Sequence, residues 1–83
     1  MNHFVFWSPE ADAKLQSLIA EAEDTALLIR VAREIEFWLA RDPLAFGESR
    51  YETVRLGVVR PLAVLFDVLD EPPTVIVLDI WRF

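Results

Sequence analysis

Arg50, Arg55, Arg60 and Arg82 are the side chains whose type and placement best fit chemistry. A guanidinium is planar, permanently charged and donates through a rigid fork, so arginine without lysine favours bidentate recognition over bulk electrostatic attraction. Lys14 is the only lysine, whereas residues 41–66 hold Arg41, Arg50, Arg55 and Arg60 against only Asp42, Glu48 and Glu52. Tyr51 and Glu52 are the proton-transfer groups nearest these arginines in sequence. The plainer reading has the arginines paired with Glu48, Glu52, Asp67 and Asp79 on a solvated sheet face. His3, the single histidine, lies far from them and reads as a half-exposed strand residue.

Composition narrows the classes. The chain has 83 residues, 54% of them hydrophobic, and a formal net charge of −6. That length supports one domain, residues 1–83, and that apolar content excludes a disordered chain. The acid excess repels phosphate at long range, which argues against a generic nucleic-acid binder. With no cysteine, disulfides and thiolate metal sites are excluded, and a reducing cytoplasm is the natural setting. One histidine cannot build a His-rich metal site, and Glu21, Glu23 and Asp24 read as a charged helix turn. Neither a metal nor a cofactor is expected. No stretch approaches the ~18 apolar residues of a membrane span, so no membrane contact is expected.

The elements that must position the arginines follow from periodicity. His3 to Trp7 is an aromatic and β-branched run that reads as a strand. Ser8-Pro9-Glu10 then opens a helix, with serine as cap, proline at the first position and the acid at the positive end. Ala11, Leu15, Leu18, Ile19 and Ala22 recur at helical spacing. Asp24 caps a second helix with the stripe Leu28, Val31, Ile35, Trp38 and Leu39, and Asp42-Pro43 ends it. A short acidic turn between the helices predicts an antiparallel hairpin. Pro43 to Ser49 reads as a loop.

From Arg50 the period changes to two, giving one strand toward Leu56, with Gly57 and Pro61 bracketing a turn or bulge. Leu62 to Leu69 and Thr74 to Arg82 follow as strands around Asp70-Glu71-Pro72-Pro73. Short turns make the last three strands an antiparallel meander, and the first can lie parallel to a neighbour at the sheet edge. The fold class is α+β, order β-α-α-β-β-β, with the helical hairpin on one face of a small, mainly antiparallel sheet. The last strands are apolar on both faces, so the face away from the helices needs a protein partner or a second copy. Trp7, Trp38 and Trp81 read as core or interface anchors, with Trp38 turned to the sheet.

The segments Phe4-Val5-Phe6-Trp7-Ser8-Pro9-Glu10-Ala11, Ile35 to Pro43, Gly47-Glu48-Ser49-Arg50, Pro61 to Val68 and Val75 to Arg82, in this order and spacing, resemble the RelE/ParE superfamily of toxins from type II toxin–antitoxin modules. The resemblance covers essentially the whole chain. It implies a small α+β toxin held inactive by a cognate antitoxin that wraps its apolar surfaces. A RelE-like member would be a ribosome-dependent mRNA interferase. The arginines Arg50, Arg55, Arg60 and Arg82 would then form its catalytic phosphate clamp. A ParE-like member would instead bind DNA gyrase without catalysis, and a third reading is a non-toxic interaction domain of the same fold.

Overall fold

The computed structural model describes residues 2–83. Element order is β1 (Phe4–Trp7), α1 (Pro9–Glu21), α2 (Thr25–Arg41), α3 (Pro43–Phe46), β2 (Glu48–Tyr51), β3 (Val54–Val59), β4 (Leu62–Leu69) and β5 (Thr74–Arg82). The strands form one sheet in the order β1-β5-β4-β3-β2. β1 runs parallel to β5, Phe4 opposite Thr74, and the remaining neighbours are antiparallel. The α+β class, the helical hairpin and the parallel edge strand all match the expectation.

Both helix starts follow the chemistry of their caps. Ser8 Oγ accepts from Ala11 N–H at 3.1 Å, and Asp24 Oδ1 accepts from Leu27 N–H at 3.0 Å. Each bond satisfies one amide that the first helical turn cannot pair internally. Asp42 closes α2 through its own N–H to the Trp38 carbonyl at 2.8 Å. Its side chain then accepts from Ala45 N–H at 3.3 Å, so one residue ends α2 and starts α3.

Three local expectations need correction. The stretch Pro43 to Ser49 is not all loop: Pro43–Phe46 is a single helical turn, and β2 already begins at Glu48. The strand expected from Arg50 is a hairpin, because the chain reverses at Glu52, whose φ is 50°. The turn expected between Gly57 and Pro61 falls at Arg60-Pro61, and Gly57 itself lies within β3 without positive φ. It is small because the Phe46 ring lies against the strand there, where a Cβ would strike it. The third correction concerns α2. Its buried stripe is Leu28, Val31, Ala32, Ile35 and Leu39, while Trp38 is 41% exposed and packs edge-on against Phe37. At 100° per residue, Trp38 falls some 80° from the stripe's centre, which puts it at the flank and not under the helix.

On the sheet, Leu62, Val64, Phe66 and Val68 of β4 and Val75, Val77 and Ile80 of β5 are buried with that stripe and with Ala11 and Leu15 of α1. The alternate residues face away from the helices. There Leu56, Leu65, Ile76 and Trp81 are half-buried and Val58 and Phe6 exposed, so the second sheet face is apolar and uncovered.

One ion pair ties α1 to β5. Lys14 Nζ lies 2.9 Å from Asp79 Oδ1, which also accepts from Ile80 N–H at 2.8 Å. The Lys14 hydrogen bond holds the Asp79 carboxyl below the ordinary aspartate range, against the opposing effect of burial and with lesser help from the Ile80 amide. A carboxyl depressed on folding stabilises the native state above its unfolded pKa, and that contribution disappears as pH falls through the folded value. Asp79→Asn is therefore expected to lower stability at neutral pH by about 0.2–1 kcal/mol, as for a solvent-screened pair. The difference from wild type should vanish below the carboxylate range, as read from urea midpoints across pH.

Candidate functional site

β2 begins alongside the middle of β3, Glu48 opposite Leu56 and Ser49 opposite Arg55, with a register shift between Ser49 and Tyr51 that falls at Arg50. An open cleft of ≈ 270 Å³ forms there, lined by Phe46, Glu48, Arg50, Leu56 and Val58. Phe46, Leu56 and Val58 give it an apolar lining. Its polar groups are the Glu48 carboxylate and the Arg50 guanidinium, 3.8 Å apart. Both side chains are well exposed, so the pair is open to solvent and to a ligand. A carboxylate can take a proton and a guanidinium can hold an oxyanion, so the cleft places an acid–base group beside an anion-binding one.

Phe46 stacks on the buried Phe66 with ring centroids 6.1 Å apart. Gly47 turns the chain into β2 close to the same ring, where a Cβ would stand 2.5 Å from Phe66 Cζ. Arg55 secures the turn from α3 into β2. Its Nε and Nη2 donate to the Gly47 carbonyl at 3.3 and 2.8 Å, and Nη2 also donates to the Leu44 carbonyl at 3.0 Å. The last carbonyls of a one-turn helix lack intrahelical partners, and the guanidinium fork takes the Leu44 carbonyl of α3 and the Gly47 carbonyl just beyond it.

The four arginines of the sequence reading are thus distributed, not gathered. Arg50 lines the cleft and Arg55 faces the turn behind it. Arg60 lies in the β3–β4 turn with its guanidinium carbon 5.4 Å from the centroid of the Phe83 ring. Arg82 pairs in register with Leu62, which brings it to the same end of the sheet as Arg60. Arg50 aligns with the opposite half of β4 and stands on the far edge. Strand rise and spacing put it on the order of 20 Å from Arg82.

Phe46 is a cleft residue that sequence reasoning did not single out, and Glu48 was named there only as an ion-pair partner of the arginines, a pairing the structure shows with Arg50. The signal for Glu48 was its two-residue spacing from Arg50, which on an extended chain directs both side chains to one side. Tyr51 is exposed at the end of β2, and Glu52 occupies the turn. Asp67 accepts from Thr53 Oγ1 at 2.5 Å, and Asp79 is held by Lys14, so neither pairs with an arginine. His3 is half-buried, and its backbone N–H donates to the Ala40 carbonyl at 2.7 Å. Among the described residues no cluster of His, Cys, Asp or Glu has the makings of a metal site, and no helix is long and apolar enough to cross a membrane.

No family model and no curated protein matches the sequence. Solved structures do match. A chain of the toxin–antitoxin complex RelBE2 from Mycobacterium tuberculosis is 22% identical, with 100% of both chains covered and a TM-score of 0.83. A mutant of the E. coli toxin RelE in the free state is 14% identical, covering 99% of this chain and 84% of that one, with a TM-score of 0.74. The intact E. coli RelBE toxin–antitoxin complex contributes a chain at 14% identity, covering 98% of this chain and 96% of its own, with a TM-score of 0.73. The likeness over the whole of both chains shows that this chain has the fold of the RelE toxins.

Proposed function

We propose that this chain is the toxin of a type II toxin–antitoxin pair, neutralised by a cognate antitoxin, and that it cleaves mRNA on the ribosome. The observation that carries the reading is the end-to-end likeness to the RelBE2 chain, with a TM-score of 0.83 over both chains. The Glu48–Arg50 cleft supplies the chemistry. Cleavage by a neighbouring 2′-hydroxyl needs a base for its proton and a cation for the charge that grows on the phosphate. Glu48 is the base in this reading, and Arg50 holds the phosphate oxygens. The Phe46 ring, Leu56 and Val58 form an apolar wall for a nucleobase. Solvent reaches the cleft and supplies the leaving oxygen's proton.

Arg60 and Arg82 lie too far from the cleft to touch the same phosphate, and in this reading they contact the RNA backbone at the other end of the sheet. Arg55 supports the cleft from behind. The −6 net charge opposes capture of free RNA, so the ribosome delivers the message.

The scatter of the arginines favours one rival, arrest by binding alone, with DNA gyrase as the target. Inducing the chain in cells with and without the protein encoded beside it separates the readings. The expected result is growth arrest relieved by that neighbour, with new mRNA 5′ ends mapped within translated regions. Arrest without such ends supports the binding reading. Normal growth overturns the toxin reading.

A further inference from the structure

The end of β3 has a strand on one side only. β2 meets β3 with Tyr51 opposite Val54 and Glu48 opposite Leu56, and its pairing stops there. β4 continues alongside Gly57, Val58 and Val59. Carried two residues further, the β2 register would set Phe46 opposite Val58. Phe46 instead ends α3, and its amide donates to the Asp42 carbonyl at 3.0 Å.

Two hydrogen bonds fix which way each peptide group of β3 points. Val68 N–H donates to the Thr53 carbonyl at 3.1 Å, which turns Thr53 toward β4. Phe83 N–H donates to the Pro61 carbonyl at 2.9 Å, which turns Pro61 toward β5 and leaves Leu62 facing its partner Val59. Successive residues of a strand alternate in direction. Arg55, Gly57 and Val59 therefore bond toward β4, while Val54, Leu56 and Val58 turn to the β2 side. Val54 and Leu56 find β2 there. The N–H and C=O of Val58 find no strand, and among the described residues no turn, loop or cap bond reaches them.

This unpaired edge opens into the Glu48–Arg50 cleft, which Val58 lines at 49% exposure. Gly57 pairs with the core residue Val64, so the Phe46 ring that lies against Gly57 is on the helix side of β3. A flat group bonded to Val58 in the plane of the sheet has that ring below it.

We propose that the Val58 N–H and C=O hold the Watson–Crick edge of one unpaired mRNA base, stacked on the Phe46 ring. This rests on the cleavage reading for the presence of RNA in the cleft. On an extended residue the two groups point the same way, a donor beside an acceptor. Each base presents the matching pair. Adenine and cytosine offer an amino donor beside a ring-nitrogen acceptor, and guanine and uracil a ring N–H beside a carbonyl. The edge thus takes any base, but only one that is not already paired. A protein strand is a poor occupant, because strand addition draws on a row of main-chain groups and one residue is free here.

Amide hydrogen exchange on the chain alone tests the geometry: Val58 should exchange rapidly, Leu56 and Gly57 slowly. A protected Val58 amide overturns the inference and leaves the cleavage reading standing. Single-turnover cutting on programmed ribosomes tests the recognition. N1-methyladenosine in place of adenosine at one of the two nucleotides flanking the cut should slow cutting about tenfold, the scale of one lost hydrogen bond. 7-Deazaadenosine, altered on the other edge, should not. Val58→Pro removes the donor without touching a bond to β4. With an unchanged melting temperature it should cut unmodified message about tenfold more slowly and lose little more on the methylated one. Val58→Ala, which keeps the amide, should cut at close to the wild-type rate. Equal cutting of methylated and unmodified message overturns the inference, as does wild-type cutting by a folded Val58→Pro. Exchange and methylation decide without Val58→Pro if that variant melts early. No cutting by the wild-type chain overturns the cleavage reading, and the inference with it.

Discussion

Phe66→Ala is expected to cost about 3–5 kcal/mol, the range for emptying a fully buried phenylalanine site. For a chain of this length the total stability is only about 4–12 kcal/mol, so the variant should be largely unfolded at physiological temperature or melt far below wild type. The ring is fully buried in β4 and meets the Phe46 ring on one side and the backbone of Gly47 on another. Its removal leaves a cavity under both. Phe66→Leu keeps most of the volume and should cost far less. Calorimetry or urea unfolding distinguishes the two. If Phe66→Ala melted within a few degrees of wild type, the core drawn around β4 would be wrong. Any loss of function in Phe66→Ala would follow from folding, which separates it from changes in the cleft.

On the proposed cleavage reading, Arg50→Ala is expected to lower the rate of RNA cleavage by about 10²–10³-fold, the usual loss when one donor to a developing oxyanion is removed. Glu48→Gln should lower it by about 10²–10⁴-fold, the contribution of a positioned base. Both side chains are exposed, so neither change should move the melting temperature by more than a degree or two. Arg82→Ala, at the other end of the sheet, should weaken binding of the message more than it slows the cut. Single-turnover cleavage on programmed ribosomes measures both effects. Full activity in Glu48→Gln would remove the base from the cleft, and full toxicity without cutting would leave arrest by binding.

Much of this architecture was legible because it rests on local chemistry. Ser8-Pro9, Asp24 and Asp42-Pro43 mark helix ends by satisfying amides within four residues, and each did so where expected. Leu62 to Leu69 was evident as a strand from its β-branched and aromatic run, apolar on both faces. The hairpin at Glu52-Thr53 was hidden, since it lacks the Asn-Gly or Asp-Gly pair that usually reports a tight reversal. Instead, Thr53 is held from outside, through its carbonyl to Val68 N–H and its hydroxyl to Asp67, both distant in sequence. Trp38 was misplaced because hydrophobicity alone extended the α2 stripe. The small Ala32 takes a buried place on that stripe, and Trp38 sits at its flank.

The candidate site was legible in part for the same reason. An arginine-rich middle segment was evident, but which guanidinium meets solvent depends on carbonyls and strands far away. Arg55 looked equivalent to Arg50 until the turn after α3 claimed its donors. Glu48 was read as part of a loop, and only the start of β2 at that residue places it beside Arg50.

The pairing of β1 with β5 orders events in time. Residue 4 finds its neighbour at residue 74, so the first strand has nothing to bond to until almost all of the chain has been made. Closing so long a loop is entropically slow compared with forming the neighbouring hairpins. The helices share this delay, because the buried stripe of α2 has no surface to cover until β4 and β5 exist. A growing copy on the ribosome therefore holds neither a finished sheet nor a formed cleft. Whatever the chain does to its cell begins only after its own synthesis has passed the last strand.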